Sequence, residues 1–298
     1  VARVVVVGGA NVDVLARPGS TAVPATSNPG RVAVSAGGVA RNVAENLARL
    51  GTSVALVAVV GTDAHGDLVV EATAGAGVDV GLVRREPGTT GAYVALLDAA
   101  GELVGAVSDM AAGAAVTTDD LARAQGAIAD ADLVVLDGNL GTAVLAGAWD
   151  AAAAAGVGVV LDPVSVPKAA AMAGLLGVGR PLALLSAGVA ELAALTAHLP
   201  AGTSLLDRGV HVLWERSGPT GSVLRTREAT VGIAALPATV ADVTGAGDAM
   251  LAAYCHAVLG GADPHEAAGY GHAAAALTVA SRHTVRPDLS DALVRSLL

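Results

Sequence analysis

Residues Val4 to Val7 form an unbroken β-branched run, the pattern of a strand buried on both faces. Apolar runs of strand length recur at 53–60, 133–136, 158–161, 182–185 and 211–214. Between them, helical spacing is found at 37–50, 66–76, 144–155 and 190–198. In the first of these, Val39, Val43, Leu47 and Leu50 fall on one face, Glu45 pairs with Arg49, and Gly51 ends the helix. Strands alternating with helices predict right-handed βαβ units around a mostly parallel sheet. Such sheets bind ligands beyond the carboxyl ends of their strands. Asp13, Asn139, Asp162 and the loop at Gly245 all lie just past predicted strands.

Residues 91–110 break the alternation. Tyr93 to Leu97, the turn Asp98-Ala99-Ala100-Gly101 and Leu103 to Val107 read as a β-hairpin. The stretch 14–35, rich in Pro, Ser and Gly, adds one or two further strands. Together they predict a small β-sheet lid over the ligand edge, inserted in a single domain spanning 1–298. An isolated sheet of this size buries too little to be stable alone, so the lid is expected to pair with a second copy in a homodimer.

Composition narrows the function. With 53% hydrophobic residues, 38 Gly and no Phe, the core must be built from Ala, Val and Leu. The formal charge of −10, with no basic cluster, argues against sequence-independent nucleic-acid binding. Lys168 is one of few cations suited to a small anionic ligand. Cys255 is the single cysteine, which excludes an intrachain disulfide, and it reads as a packing residue. Residues 1–10 lack a basic n-region and a cleavage site, and no apolar stretch is long enough to span a membrane, so a cytoplasmic location is expected. The histidines show no metal-ligand spacing. The Ala tracts at 111–115, 151–155 and 273–276 reflect helix-former bias.

Candidate chemistry concentrates in Asp242-Val243-Thr244-Gly245-Ala246-Gly247-Asp248, which opens a helix predicted over 249–259. Glycines let the backbone turn and approach a ligand, and a helix N-terminus carries unpaired N–H groups and partial positive charge. Phosphate suits such a site. A carboxylate at Asp248 then fits a general base facing a transferred phosphoryl group, although ordinary capping explains the same letters. A second Gly-Gly turn, Gly37-Gly38, feeds the helix at 37–50, where Asn42 and Asn46 share a stripe.

These two elements, in this order, resemble the two signatures of the ribokinase-like (PfkB-type) carbohydrate kinase family. Gly8-Gly9-Ala10-Asn11-Val12-Asp13, Ser27-Asn28-Pro29-Gly30, Ser108-Asp109-Met110, Asp162-Pro163-Val164-Ser165 with Lys168, and Pro287-Asp288-Leu289-Ser290 make it similar to that family's pseudouridine kinase branch. The resemblance implies a three-layer α/β/α fold, and ATP and Mg2+ as cofactors, with K+ a further candidate. It implies phosphorylation of the 5′-hydroxyl of a ribosyl nucleoside, pseudouridine first. Ribose, another sugar or nucleoside, or a degenerate kinase acting as a nucleoside sensor are the alternatives. Asp248 becomes the base, Gly245 belongs to the catalytic loop, and the N–H groups of Ala246, Gly247 and Asp248 stabilise charge on the phosphoryl group. Asp13, Asn11, Gly37, Gly38 and Asn42 hold the sugar. Asn139 is a weaker candidate for the same cleft. Asp109 either meets the base or is an exposed hairpin end, and Lys168 reaches substrate or phosphate or is a solvated loop residue. Thr244, Gly218, Gly221 and His272 fall at nucleotide positions, His272 also reading as a satisfied helix histidine. Glu191 is placed near the metal through water, and Asp242 near a monovalent cation. The chain departs from the family's Asn-x-x-Glu element, because Gly188 stands where Asn is usual. Glu215 and Arg216 are also unusual beside the nucleotide loop.

Overall fold

The computed structural model describes residues 4–110, 115–177, 179–197, 199–200 and 202–298. Residues 111–114 of one Ala tract, and His198 at the end of a predicted helix, lie outside them.

The four valines of β1 (Val4–Val7) are completely buried. β1 lies inside a nine-stranded sheet, between the parallel strands β4 (Val54–Gly61) and β8 (Leu133–Asp137). On one side β9 (Gly158–Asp162), β10 (Leu182–Gly188) and β11 (Val210–Arg216) continue the parallel run. On the other, β5 (Val83–Glu86) ends it. Two antiparallel strands, β12 (Ser222–Arg225) and β13 (Thr230–Ile233), finish the far edge. The sequence pattern does not reveal β5, β12 and β13, four-residue strands without a buried apolar run, of which β5 and β13 are the two edges of the sheet.

Side chains alternate across the sheet, so Val4 and Val6 enter one core and Val5 and Val7 the other. Each buried valine contributes about 2 kcal/mol. The first face is covered by α1 (Val39–Arg49), α2 (Ala64–Gly75), α7 (Ala246–Leu259), α8 (Pro264–Val279) and α9 (Asp291–Arg295). The second carries α3 (Thr118–Ala129), α4 (Thr142–Ala154), α5 (Val166–Met172) and α6 (Val189–Thr196). This is a three-layer α/β/α fold. The sequence pattern does not reveal α3, α5 and α9, and it reveals α8 only through the helix-former tract at 273–276 and His272, although α3 and α8 both open on a capping box. In α8 the Ala-rich run hides the apolar periodicity.

The core without phenylalanine is solved in two ways. Trp149 and Trp214 are fully buried, and Trp149 Nε1 donates to the Pro181 carbonyl at 2.9 Å. Elsewhere small residues let helices approach closely: Ala249, Ala252, Ala253, Ala267, Ala273 and Ala274 of α7 and α8 are completely buried. Cys255 packs among them, and burial pushes its thiol up to about 12, as expected of an inert packing residue.

A separate four-stranded sheet has the order β3-β2-β6-β7. It comprises β2 (Asn11–Pro18), β3 (Gly30–Gly37), β6 (Ala92–Leu97) and β7 (Leu103–Asp109). It begins three residues before the predicted lid segment, so Asn11 and Asp13 themselves belong to a lid strand. Val34, Val14, Val94 and Val107 form one row across all four strands. Val12 and Ala36, at the inner end of that face, are buried, whereas Val32 and Val107 further out are 69% and 70% exposed. The opposite face carries the row Ser35, Asp13, Tyr93 and Ser108.

Candidate functional site

Two groups of polar residues meet at the carboxyl ends of the strands. The first lies where the lid joins β1. Asn11 Nδ2 donates to Asp13 Oδ1 at 3.0 Å. Gly37 and Gly38 are needed here for space: any side chain at 37 would strike the Asp13 carboxylate, and a Cβ on Gly38 would lie 2.9 Å from Asn11 Oδ1. Gly38 also has φ 99, which favours glycine. The expected approach of these glycines to a ligand is therefore first an accommodation of Asn11 and Asp13. Burial raises the Asp13 pKa, against the Asn11 hydrogen bond and the nearby Arg41 charge.

Asn42 is engaged within the protein on both sides of its amide. Its Oδ1 accepts from Arg41 Nη1 at 2.9 Å, and its Nδ2 donates to Asp248 Oδ2 at 2.8 Å. The buried Arg41 thus fixes the amide, which bridges the cluster at the lid to α7. Arg41 is held in turn by Glu45 and the Ala36 carbonyl.

Asp137 was missed by sequence reasoning and is central to the framework. It is buried, and accepts from the backbone of Gly9 (3.0 Å), Ala40 (2.9 Å) and Asn139 (2.9 Å), and from Asn139 Nδ2 (3.0 Å). It caps α1 from another strand while pinning the Gly8-Gly9 turn. Burial raises its pKa despite these bonds. An acidic residue ending an apolar strand was the available signal. Asn139 is consequently committed to Asp137, and Lys168 Nζ donates to Asn139 Oδ1. Asp109 ends β7 on the exposed side of the lid, in register with Ala92.

The second group lines a cavity of about 820 Å³, within the range of small-molecule sites. Helix α7 starts at Ala246, three residues before its predicted start, which puts Asp248 in the first turn. Its N-cap Gly245 has φ 78, and a side chain there would collide with the Thr284 carbonyl. The Ala246 N–H is already given to the Val243 carbonyl at 3.3 Å. Among the described residues, those of Gly247 and Asp248 donate to nothing. The Asp248 carboxyl is pushed up to about 7, chiefly by burial. The charges of Asp162 and Asp137 add to this, and the Asn42 bond and Arg216 oppose it.

Gly218, Gly221, Glu191, Gly188, Arg216 and His272 also face the cavity. A Cβ on Gly188 would collide with the Glu191 carboxylate, which folds back over the glycine. Trp214 Nε1 donates to Ser222 Oγ at 2.8 Å, and the same hydroxyl is hydrogen-bonded to His272 Nε2 at 2.7 Å. Burial lowers the His272 pKa. His272 therefore meets both readings, a satisfied helix histidine on the cavity wall. Asp242 Oδ1 accepts from the Thr244 N–H at 2.8 Å, shaping the loop into α7. Val164 has φ 67, an outlier for a β-branched residue, in a γ-turn closed by Ser165 N–H to the Pro163 carbonyl at 2.7 Å. It lines the cavity beside Asp162, and strain of this kind gathers at functional sites. Among the described residues, no cluster of three or more His, Cys, Asp or Glu could hold a metal ion, and no helix is long and apolar enough to cross a membrane.

A layered sheet clasped at its ligand edge by a second sheet is the architecture of the ribokinase-like kinases. Residues 1–291 match the pfkB family carbohydrate kinase model, and the chain belongs to that family of ATP-dependent kinases. It is 32% identical to the pseudouridine kinase of Escherichia coli (strain K12), over 99% of this chain and 96% of that protein. Among solved structures, a carbohydrate kinase from Agrobacterium tumefaciens superposes with a TM-score of 0.86 at 31% identity, covering 100% of this chain and 97% of that one. The Arabidopsis thaliana ribokinase complexed with ribose and ATP gives 0.81 at 26% identity, covering 100% and 99%.

Proposed function

We propose that this kinase transfers the terminal phosphoryl group of ATP to the 5′-hydroxyl of a ribosyl nucleoside, pseudouridine being the first candidate. The observation that carries the transfer chemistry is Asp248 in the first turn of α7, held by Asn42 and with a pKa near 7. Such a carboxylate is matched to accepting a hydroxyl proton at neutral pH. The unengaged N–H groups of Gly247 and Asp248 then meet the charge on the phosphoryl group. Asp13, with Asn11 beside it, receives the sugar hydroxyls. Mg2+ enters with the nucleotide: one or two carboxylates with water and phosphate oxygens suit it, and Glu191 is the donor facing the cavity. K+ at the Asp242 loop is the remaining cation expected.

Tyr93 favours a nucleoside over a free sugar. Of five aromatic side chains, Trp149, Trp214, Tyr254 and Tyr270 are buried, and only Tyr93 is not. It lies next to Asp13 on the same lid face, placed to stack on a base attached to the sugar. The outer lid face, with its row of exposed valines, is read as the contact surface of a homodimer. The test is turnover across pseudouridine, uridine, adenosine and ribose, with Tyr93→Ala alongside the wild type. Base stacking is worth about 1–3 kcal/mol, so Tyr93→Ala should raise the nucleoside KM roughly tenfold and leave that for ribose unchanged. Preference for ribose in the wild type would reject the nucleoside reading.

A further inference from the structure

The two places where the chain departs from the family resemblance meet in space: Gly188 and Arg216 are register partners on β10 and β11. The Arg216 side chain crosses the end of β10 to reach β9, where Nη2 donates to Asp162 Oδ2 at 2.9 Å. Its Nη1 lies 2.7 Å from where a Cβ on Gly247 would stand, against the first turn of α7. Asp162 is 5% exposed in its side chain and Arg216 17%. Among the described residues, Nη1 and Nε of Arg216 hydrogen-bond to nothing.

Charge makes the position informative. Asp162, Glu191 and Asp248 line the same cavity, and Arg216 is the one Lys or Arg among its lining residues. A polyphosphate entering a cavity with three carboxylates is repelled unless a cation is fixed there to receive it. A guanidinium anchored at one edge and unpaired at the other has the fork geometry that phosphate oxygens accept. Gly247 adds a steric argument, since a side chain at that position would displace the guanidinium from the helix end.

We propose that Arg216 is a phosphate-binding residue of this enzyme, engaging the terminal phosphate of the nucleotide from an anchor on Asp162. This rests on the kinase reading above. In the transfer, the substrate hydroxyl gives its proton to Asp248 and its oxygen forms the new O–P bond. The bond from phosphorus to the ADP oxygen breaks, and ADP leaves with that electron pair. Arg216 donates hydrogen bonds to the phosphoryl oxygens throughout and changes no bond of its own.

The experiment is calorimetric titration of wild type, Arg216→Gln and Arg216→Lys with ATP and, separately, with adenosine, followed by turnover. Adenosine reports whether the cavity survives the substitution. Arg216→Gln should weaken ATP roughly 10- to 100-fold with adenosine affinity unchanged, as loss of a charge-assisted pair predicts. Arg216→Lys should restore part of the loss. If Arg216→Gln binds ATP and turns over like the wild type, or loses ATP and adenosine equally, Arg216 is a structural tie to Asp162 and the proposal fails with the kinase reading intact. A wild type that binds neither ATP nor any phosphoryl acceptor would instead overturn the kinase reading, and this inference with it.

Discussion

The sugar-side cluster and the nucleotide-side cavity are built on opposite principles. At the lid, Asn11, Asp13, Arg41, Asn42 and Asp137 are hydrogen-bonded to one another or to backbone, in space that glycines have cleared. The cavity by α7 keeps donors in reserve: two helix N–H groups and one edge of Arg216 have no partner among the described residues. On the proposed reading, the first arrangement holds rigid acceptors for hydroxyls, which present weak dipoles and need fixed geometry. The second waits for an anion that brings strong acceptors with it. Asn42 is the join, because it touches both Arg41 and Asp248.

The most severe way to break this pairing is Asp248→Asn. Loss of a general base lowers kcat about 10²–10⁴-fold. ATP and nucleoside affinities should persist in calorimetry, and a variant retaining more than a tenth of wild-type turnover would mean that the base lies elsewhere. The same substitution should stabilise the protein. Asp248 has a folded pKa near 7 against an ordinary 3.8, so its contribution to stability is full below about 4 and lost as pH rises through 7. At pH 8 the Asn variant should therefore melt higher, by about 2–4 °C per kcal/mol gained.

Asp13→Ala attacks the other side alone. Hydrogen bonds to a charged acceptor contribute about 1.5–3 kcal/mol, so nucleoside KM should rise 10-fold or more while ATP affinity in calorimetry stays constant. An unchanged KM would make Asp13 a strand residue and nothing else.

A pH profile sharpens the comparison without any mutation. Below about pH 7, Asp248 is protonated and kcat/KM should fall about tenfold per unit. A profile flat to pH 5 would remove Asp248 from the proton transfer.

The smallest effect is expected at Gly188. A side chain there displaces the Glu191 carboxylate from its folded position toward the cavity. Gly188→Asn should thus lower the Mg2+ needed for half-maximal rate, by no more than about tenfold. Superimposable Mg2+ titrations would show that Glu191 does not serve the metal.

The sheet and its principal helices were legible because β-branched runs such as Val4 to Val7 and faces such as Val43, Leu47 and Leu50 encode burial directly. The same is true of the Gly245 loop, whose left-handed residue could only be glycine. Asp137 escaped because its task is to satisfy N–H groups 97 and 128 residues away in sequence, which no local pattern reports. The contact of Asn42 with Asp248 was hidden for the same reason. β12 and β13 were invisible because short strands at the margin of a sheet are specified by the strands they join more than by their own hydrophobicity.

The hydrogen bond from Asn42 to Asp248 spans 206 residues of sequence. Its two halves emerge from the ribosome far apart in time, and a contact of that separation forms only after long loops have closed. The contact that orients the carboxylate is thus absent from any growing chain that has not reached Asp248, including one that has folded its amino-terminal strands. Catalytic competence in this enzyme is a late event of biosynthesis, and activity regained during refolding should trail the recovery of secondary structure.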